Sequence, residues 1–531
     1  MRLDRITVSS RSLFVLSLLC LQGVVSSSGF AKSWIVKFKN HRGFISHHNM
    51  IQSQYPLDVV DQHQSGKLAL VEAYSGFVDD KVIQRLQKDD TVEYVVENIK
   101  MYALDMPDDP RYEEQWALKM VGAEKQWEIN SSSEDIVVAV IDTGIDYNHE
   151  DLAGNIWTNP GELLNGKDED GNGFVDDIHG WDFRDNNADP MDETSSKNPG
   201  HGTHCAGIIG AVGNNGVGVS GITQKVKIMP IRFLGADGSG DLFSAAKAID
   251  YAVQNKAHVI SASWGAPSQR AQVKPILEAI ERAGEKGIVF VAAAANNGDS
   301  NDRVEMYPAN AGYSHVISVA ASDPDDGKPQ WSNYGVSSVD IAAPGKDILS
   351  TLPSNTYGKL SGTSMATPLV AGEAAQLIAQ AKVQGVHLTP TEVKALLQAS
   401  GKKVDIETAC RCRMDAGAAM TRLAQTTPTV TPYNLTLQVG ATETFSAFGM
   451  KGDLVFAVND PDVASVDASG KVKGLKEGTF KVIVKDQDGV TTESDELFVA
   501  RAAPSTGACP FDDPLLCQVM CQIEKGFPWC D

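Results

Sequence analysis

An α/β fold built on a doubly wound parallel sheet, with a small α+β domain before it and a β-sandwich after it, is what this chain's pattern predicts. Three observations carry that expectation. An apolar, β-branched run, IVVAVIDTGID (136–146), reads as a strand buried on both faces, the habit of parallel sheets. Strand-like and helix-like stretches then alternate as VKIMPIRFL, LFSAAKAIDYAVQ, HVISASW, VKPILEAIERAGEKG, IVFVAAAANNG and HVISVAAS, the grammar of repeated βαβ units. Near the C-terminus the runs are short, alternate in polarity and break at Gly, Asp and Pro, as in a sandwich.

The 531 residues exceed one ordinary domain and are enough for a large core. A balance of 46 basic against 68 acidic residues leaves a net charge of −22. That argues against nucleic acid and anionic membrane as partners, and it favours solubility and divalent cations. At the start, Arg2, Arg5 and Arg11 precede an apolar core (13–25) and small residues up to Ala31. Residues 1–31 therefore read as an export signal, and a secreted, extracellular protein is expected. The core is short for spanning a bilayer and nothing later is long enough, so no membrane anchor is expected.

In chain order, SWIVKFKN from Ser33, KLALVEAYSGFVDD, the helical VIQRLQ and TVEYVVENIKMYAL from Thr91 run strand, strand, helix, strand. They make residues 32–106 an α+β domain. The main α/β domain occupies 107–424. TTPTVTP from Thr426 reads as an exposed linker (425–431), followed by the sandwich (432–500) and a cysteine-rich tail (501–531). Cys509, Cys517, Cys521 and Cys530 of the tail imply two disulfides in an exported protein, with three connectivities open. A helical DPLLCQVMCQIEK would set Cys517 and Cys521 one turn apart with parallel side chains, disfavouring that pair and leaving two pairings. Zinc is the other use of such cysteines, though these spacings are wide for a finger.

Three stretches bear chemistry. GTSMATP (362–368) puts Ser364 in the first turn of a small-residue helix, where the helix dipole meets an oxyanion. Alone, such a serine is an ordinary N-cap. Asp142 stands at the carboxyl end of the buried strand, where functional groups of α/β sheets gather; alone, it caps a turn. GHGTHCAGIIGAVG from Gly200 carries His201 into another helix; alone, it is a structural histidine. None of these ordinary roles predicts the other two motifs. Together the three residues supply an orienting carboxylate, a general base and a nucleophile.

These motifs, in the order Asp, His, Ser, resemble those of the subtilisin-like serine proteases, the subtilases, from near Asp108 to near Leu423. The resemblance implies an endopeptidase in which Ser364 attacks, His201 moves the proton and Asp142 orients the ring. It gives His204 a structural hydrogen bond. AAAANNG from Ala292 resembles the stretch that supplies an oxyanion donor, here Asn296, with the Ser364 backbone N–H as the second donor. Ala295 stands where the family usually has Gly, and Leu369 where it usually has His.

Protein or peptide substrate would bind as an added strand between Ser239 and Gly240 on one side and Ser263, Trp264 and Gly265 on the other. Leu242 would edge a more distant apolar subsite. These walls carry no charge, so an apolar or broad preference is expected at the residue before the cut. Core packing is the ordinary use of Trp264. Cys205 resembles the free thiol of proteinase K-like and thiol-dependent subtilases, with core filling as its alternative; Cys410 and Cys412 show no role. YSGF and VEYVVEN resemble the inhibitory propeptide of the family, which implies a self-processing zymogen held by its own propeptide and cut between Tyr102 and Met106. DPDVASVDASGKVKGLKEGT resembles bacterial Ig-like domains, spacers or adhesive units without chemistry.

Structural Ca2+ is the expected cofactor. DEDGNGFVDD from Asp168 sets Asp168, Asp170, Asn172, the Phe174 carbonyl and Asp176 at the spacing of half an EF-hand loop, with Gly173 at the sixth position. His179 holds the twelfth position, so the loop is not a full EF-hand, and Asp177 is the candidate to close the shell. A solvated acidic turn is the other reading. The resemblance alone implies a second site from Asn215, the carbonyls of Gly213, Val217 and Val219, and the carboxylates of Asp151 and Asp109. A monomer is expected. The competing functions are a binding or adhesion protein on a catalytically silent protease fold, and an acyl hydrolase or transferase on the same three residues.

Overall fold

The computed structural model describes residues 33–39, 44–62, 67–73, 80–98 and 107–501. They fall into two compact units, Met1–Ala103 and Leu104–Asp531. The expected signal segment, the YSGF motif, the expected cut between Tyr102 and Met106 and the four tail cysteines lie outside the described residues. No helix among the described residues is long and apolar enough to cross a membrane.

The first unit runs β1 (Ser33–Phe38), α1 (Phe44–Gln54), β2 (Leu57–Gln62), β3 (Leu68–Ala73), α2 (Asp80–Gln87) and β4 (Val92–Glu97). Its sheet is antiparallel in the order β2-β3-β1-β4, a split β-α-β unit. Alternation along SWIVKF buries Trp34, Val36 and Phe38 against Ile51, Val71 and Leu86. The strand, strand, helix, strand reading omits α1 and β2. FISHHNMIQSQ is crowded with His, Ser and Asn, weaker helix formers, so its pattern is weak. Burial of Ile51 supplies what propensity lacks.

The second unit opens with α3 (Trp116–Met120) and α4 (Ala123–Ile129), then β5 (Ser132–Asp142), β6 (Trp181–Asp182), α5 (His201–Gly210) and β7 (Lys225–Arg232). There follow α6 (Leu242–Gln254), β8 (Val259–Ala262), β9 (Ala266–Pro267), α7 (Lys274–Glu285), β10 (Val289–Ala293), β11 (Met306–Tyr307) and β12 (Val316–Ser322). The domain continues through β13 (Ile341–Pro344), β14 (Ile348–Leu352), β15 (Thr356–Leu360), α8 (Thr363–Val383) and α9 (Pro390–Ser400). It ends with β16 (Lys402–Lys403), β17 (Cys412–Arg413) and α10 (Ala416–Ala424).

One nine-stranded sheet organises these elements, in the order β16-β17-β13-β12-β10-β8-β5-β7-β6. Its interior pairings are parallel, and the single antiparallel one joins β16 and β17 at an edge. Successive residues of β5 serve opposite faces. Ile136, Val138 and Val140 join the apolar cluster that holds α8, while Ala139 and Ile141 join the one that holds α6 and α7. The chain leaves β5 for β7 on one side and β8 on the other. The crevice at their carboxyl ends is where such sheets bind ligands.

Short strands from Thr429 to Ala500 form the C-terminal sandwich around Phe445, Val472, Phe480, Val482 and Leu497. TTPTVTP is not an exposed linker. Thr429–Thr431 is a strand paired antiparallel with Ser446–Phe448, and Thr429, Val430 and Thr431 are buried. Cys410 and Cys412 are joined in a disulfide, a role that their spacing alone did not suggest.

Candidate active site

Asp142 ends β5 almost fully buried. Its Oδ1 accepts the Thr143 N–H at 2.7 Å and lies 2.7 Å from His201 Nδ1. His201 opens α5, whose start is capped by Asn198: Oδ1 accepts the N–H groups of Gly200 at 3.0 Å and His201 at 2.8 Å. Two glycines let the aspartate and histidine motifs touch. Gly144 has φ +100°, and a Cβ on Gly202 would lie 2.1 Å from the Gly144 carbonyl oxygen. Asp192 ties the same motifs together, accepting from Thr143 Oγ1 at 2.9 Å and from Thr203 N and Oγ1 at 2.9 and 2.7 Å.

Burial pushes the His201 pKa down, but the Asp142 carboxylate pushes it up and prevails, so the ring titrates well above its ordinary range. His204 contrasts with it. Fully buried, it turns Nε2 to the Gly358 carbonyl at 3.1 Å, and burial holds its pKa down at about 3.

Ser364 lies in the first turn of α8. Pro368 follows four residues on and lacks the N–H that would bond the Ser364 carbonyl. That carbonyl instead accepts from Ser263 Oγ at 3.0 Å and Cys205 Sγ at 3.4 Å. In return, Ser364 Oγ donates to the Ser263 carbonyl at 3.0 Å. The hydroxyl is thus held on Ser263 rather than on the His201 ring, and a rotation of its side chain is needed to turn it toward the ring.

Asn296 approaches from the end of β10. Its Oδ1 accepts both the N–H and the hydroxyl of Thr363, at 2.9 and 3.1 Å. This fixes the amide plane and leaves Nδ2 as the outward donor, 3.4 Å from where a Gly362 Cβ would stand. Ala295 beside it holds φ +93°, a conformation that favours glycine.

His201, Ser364, Asn296, Ser263, Trp264 and Gly265 line one cavity of about 510 Å³. Ser239, Gly240 and Leu242 do not line it, whereas Gly238 does. Lys197 also lines it, a cation absent from the walls expected from sequence. Trp264 serves in two ways, facing the cavity while its ring packs against Phe233 at 4.8 Å.

The subtilase family model matches residues 133–417, and that of the bacterial Ig-like domain (group 2) matches 424–497. Thermitase of Thermoactinomyces vulgaris is 38% identical over 299 residues, which are 56% of this chain and 92% of thermitase. The thermophilic serine proteinase of Bacillus sp. (strain AK1) is 38% identical over 302 residues, 57% of this chain and 67% of that one. A solved protease structure from Pseudoalteromonas arctica, 30% identical, covers 60% of this chain and all of its own at a TM-score of 0.49. The chain belongs to the subtilase family. As a subtilase it is a serine peptidase.

Two groups of oxygen donors in the subtilase suit a hard cation. In the first, carboxylate oxygens of Glu162, Asp168 and Asp170 lie within 4.8 Å of one another. Asp177, fully buried, shares the Asn159 and Asn172 amides with Asp170 at 2.9–3.1 Å. Burial raises the Asp177 pKa, the mark of a carboxylate short of positive partners. Asp176 turns elsewhere, accepting the N–H groups of Asn165 and Gly166. Phe174 contributes its ring to an aromatic cluster with Trp181, Phe183 and Tyr251. Glu162 and Asn159 were invisible to the spacing argument because they precede the acidic run. All-oxygen ligation with several carboxylates fits calcium.

The second group gathers Asp109 and Asp151, both buried, around the loop that starts at Gly213. Asn215 Nδ2 donates to Asp151 Oδ1 at 2.8 Å, and Val219 N to its Oδ2 at 2.8 Å. Asp109 accepts the N–H of Asn214 at 3.0 Å. Burial raises Asp151 to about 6, and the Asp109 charge adds to the rise. Two buried carboxylates repelling each other beside the loop carbonyls of Gly213, Val217 and Val219 also fit a divalent cation.

One support escaped sequence reasoning. Arg232, paired with Asp142 in the β5–β7 register, is buried and bonds Asp182 at 2.6 Å, Asp185 at 3.1 Å and Glu193 at 2.7 Å. It locks β7, whose following residue Phe233 donates its N–H to the Asp142 carbonyl at 3.1 Å.

Proposed function

We propose that this subtilase is a secreted, calcium-stabilised endopeptidase made as a self-processing zymogen. Ser364 Oγ attacks the scissile carbonyl and gives its proton to His201 Nε2. Asp142 holds the ring by Nδ1 and stabilises the imidazolium. Asn296 Nδ2 and the Ser364 N–H meet the developing oxyanion, a contribution of about two to three orders of magnitude for the side-chain donor. His201 then returns the proton to the leaving amine, and water, activated by the same ring, frees the acyl group. The observation that carries this reading is the 2.7 Å Asp142–His201 pair opening on the cavity that also holds Ser364 and Asn296.

Among the described residues the cavity lining has no carboxylate and one cation, Lys197, which disfavours a basic residue before the cut and supports an apolar or broad preference. Substrate lies as an added strand along Ser263, Trp264 and Gly265, with Gly238 on the opposite wall. Calcium, when bound, supplies structural charge neutralisation. Its ligands are Asp168, Asp170, Asn172 and Asp177 with Glu162 at one site, and Asp109, Asp151 and Asn215 with the loop carbonyls at the other. The α+β unit acts as propeptide and inhibitor, and the chain is cut between Tyr102 and Met106.

Expression of wild type and Ser364→Ala side by side tests the reading. The wild type should lose its first unit and hydrolyse casein in a manner blocked by a serine-directed reagent. The variant should stay full length and lose about six orders of magnitude in rate. Removal of residues up to Met106 from Ser364→Ala, in a host free of other proteases, would show that Ser364 is not the nucleophile.

A further inference from the structure

At the amino ends of the sheet strands, opposite the crevice that holds Ser364, three helices stop side by side. Each of α6, α7 and α8 closes with a backbone bond spanning five residues: Ala257 N to Ala252 O at 3.0 Å, Ile288 N to Ala283 O at 3.0 Å, and Val386 N to Ala381 O at 2.8 Å. Between these ends lies a cavity of about 530 Å³, within the usual size of small-molecule sites. Ile288, Ile378 and Leu388 give it an apolar floor, and Lys256, Lys286 and Lys382 ring its mouth. None of these three lysines forms an ion pair among the described residues, in a chain whose net charge is −22.

Lysines after helix C-termini complement the helix dipole, and that alone explains their presence. His258 adds a different fact. Its Nδ1 accepts the Val137 N–H at 3.1 Å, so the neutral ring carries its proton on Nε2. Burial, and then the Lys382 charge, hold the ring neutral, with its pKa down at about 4. Nε2 faces Lys382 Nζ at 3.4 Å, so two donors meet at the cavity wall with no protein acceptor between them among the described residues. Asp135 acts on the ring through its charge, yet no bond joins it to either donor. An anionic acceptor seated beside both would satisfy them, and the floor next to it is hydrocarbon.

We propose that this cavity is a binding site for an apolar carboxylate, one oxygen bridging His258 Nε2 and Lys382 Nζ and the hydrocarbon on Ile288, Ile378 and Leu388. The site is separate from the active site. Lys382 lies eighteen residues along α8 from Ser364, about 27 Å at 1.5 Å per residue. Two sources offer such a ligand: a peptide C-terminus ending in a large apolar residue, and a fatty acid.

The test uses the mature enzyme, blocked at Ser364 by a serine-directed reagent and titrated calorimetrically with N-acetyl-phenylalanine, with its amide and with decanoate. Saturable binding of N-acetyl-phenylalanine identifies the peptide source, and binding of decanoate alone identifies the fatty acid; either supports the site. The amide should bind at least about tenfold more weakly, since it forfeits a charge-assisted hydrogen bond. Lys382→Gln should lose affinity for the acid by a similar factor while cleaving a small peptide at the wild-type rate. Lys286→Gln, on a different helix end, should weaken the acid less. Equal binding of acid and amide, unchanged affinity in Lys382→Gln, or no saturable binding of either acid overturns the proposal.

Discussion

Pro368 shows how one residue type shapes the site. By withholding an N–H it frees the Ser364 carbonyl, which Ser263 and Cys205 then occupy from two other elements. The residue proposed as nucleophile is thereby clasped through its backbone by Ser263, which lines the same cavity. His201 is governed in the same local way. It must be neutral to accept a proton, and the Asp142 carboxylate raises its pKa, so the acid limb of kcat/KM should lie above the ordinary histidine range. In Asp142→Asn the raising charge is gone while burial remains, so the limb should move to lower pH as kcat falls about 10⁴-fold. A pH–rate profile of both forms decides it, and an unmoved limb would mean that another group titrates. At this scale Asp142, His201, Ser364 and Asn296 were legible because each sits in a short run of distinctive neighbours. Asp192 was not, and Ser263 was read only as a substrate wall and not as a support of Ser364, because their partners, Thr143 and Ser364, lie 49 and 101 residues away.

Elements explain where the remaining polarity is placed. α8 is buried along most of its length, and Glu373 within it is fully buried with neither carboxylate oxygen bonded among the described residues. Burial, and then the Asp415 charge, raise its pKa well above the carboxyl range. The native state therefore holds a proton that the unfolded chain releases at neutral pH. That contribution to stability is full below the unfolded value, about 4.3, and fades as pH rises. Glu373→Met should stabilise by about 1–3 kcal/mol at pH 8, with a smaller gain near pH 4, in thermal melts of the inhibited enzyme. No gain at pH 8 would reveal a partner for the carboxyl. The acidic loops make the opposite case. Chelation leaves Asp170, Asp177, Asp109 and Asp151 to repel, so it should cost about 4 kcal/mol if calcium stood at a thousand times its Kd, leaving the Asp142–His201 geometry intact. A melting temperature unchanged in chelator would remove calcium from the account. A continuous apolar, β-branched run made β5 readable and helix-like patterns made α6 and α7 so, whereas α1 and the short β2 depend on packing that no local pattern displays.

For the whole molecule, the junction between the α/β domain and the sandwich departs furthest from what TTPTVTP suggests. A Thr/Pro run is polar enough to read as solvent-exposed, yet pairing with Ser446–Phe448 buries its Thr429–Thr431 stretch. Phe448 then joins the same apolar cluster as Leu396, Leu397 and Leu423 of the α/β domain. Lys403 reaches Asp495 at 2.7 Å, but the lysine is 59% exposed, so that ion pair adds little. The coupling between the domains accordingly rests on apolar burial. Among the described residues none that lines the cavity around Ser364 comes from beyond Ser364 itself, so the sandwich is expected to support the enzyme's stability and not its chemistry. A mature form ending after Leu423 should cleave a small peptide at nearly the full-length rate at low temperature and inactivate sooner on heating. Phe448→Ala in the full chain should reproduce part of that loss, about 3 kcal/mol for an aromatic ring removed from a core. The two variants separate the alternatives. If truncation leaves the melting temperature where it was, the junction contributes nothing and the domains are independent. If Phe448→Ala is silent while truncation destabilises, the coupling lies in the buried Thr429–Thr431 strand instead.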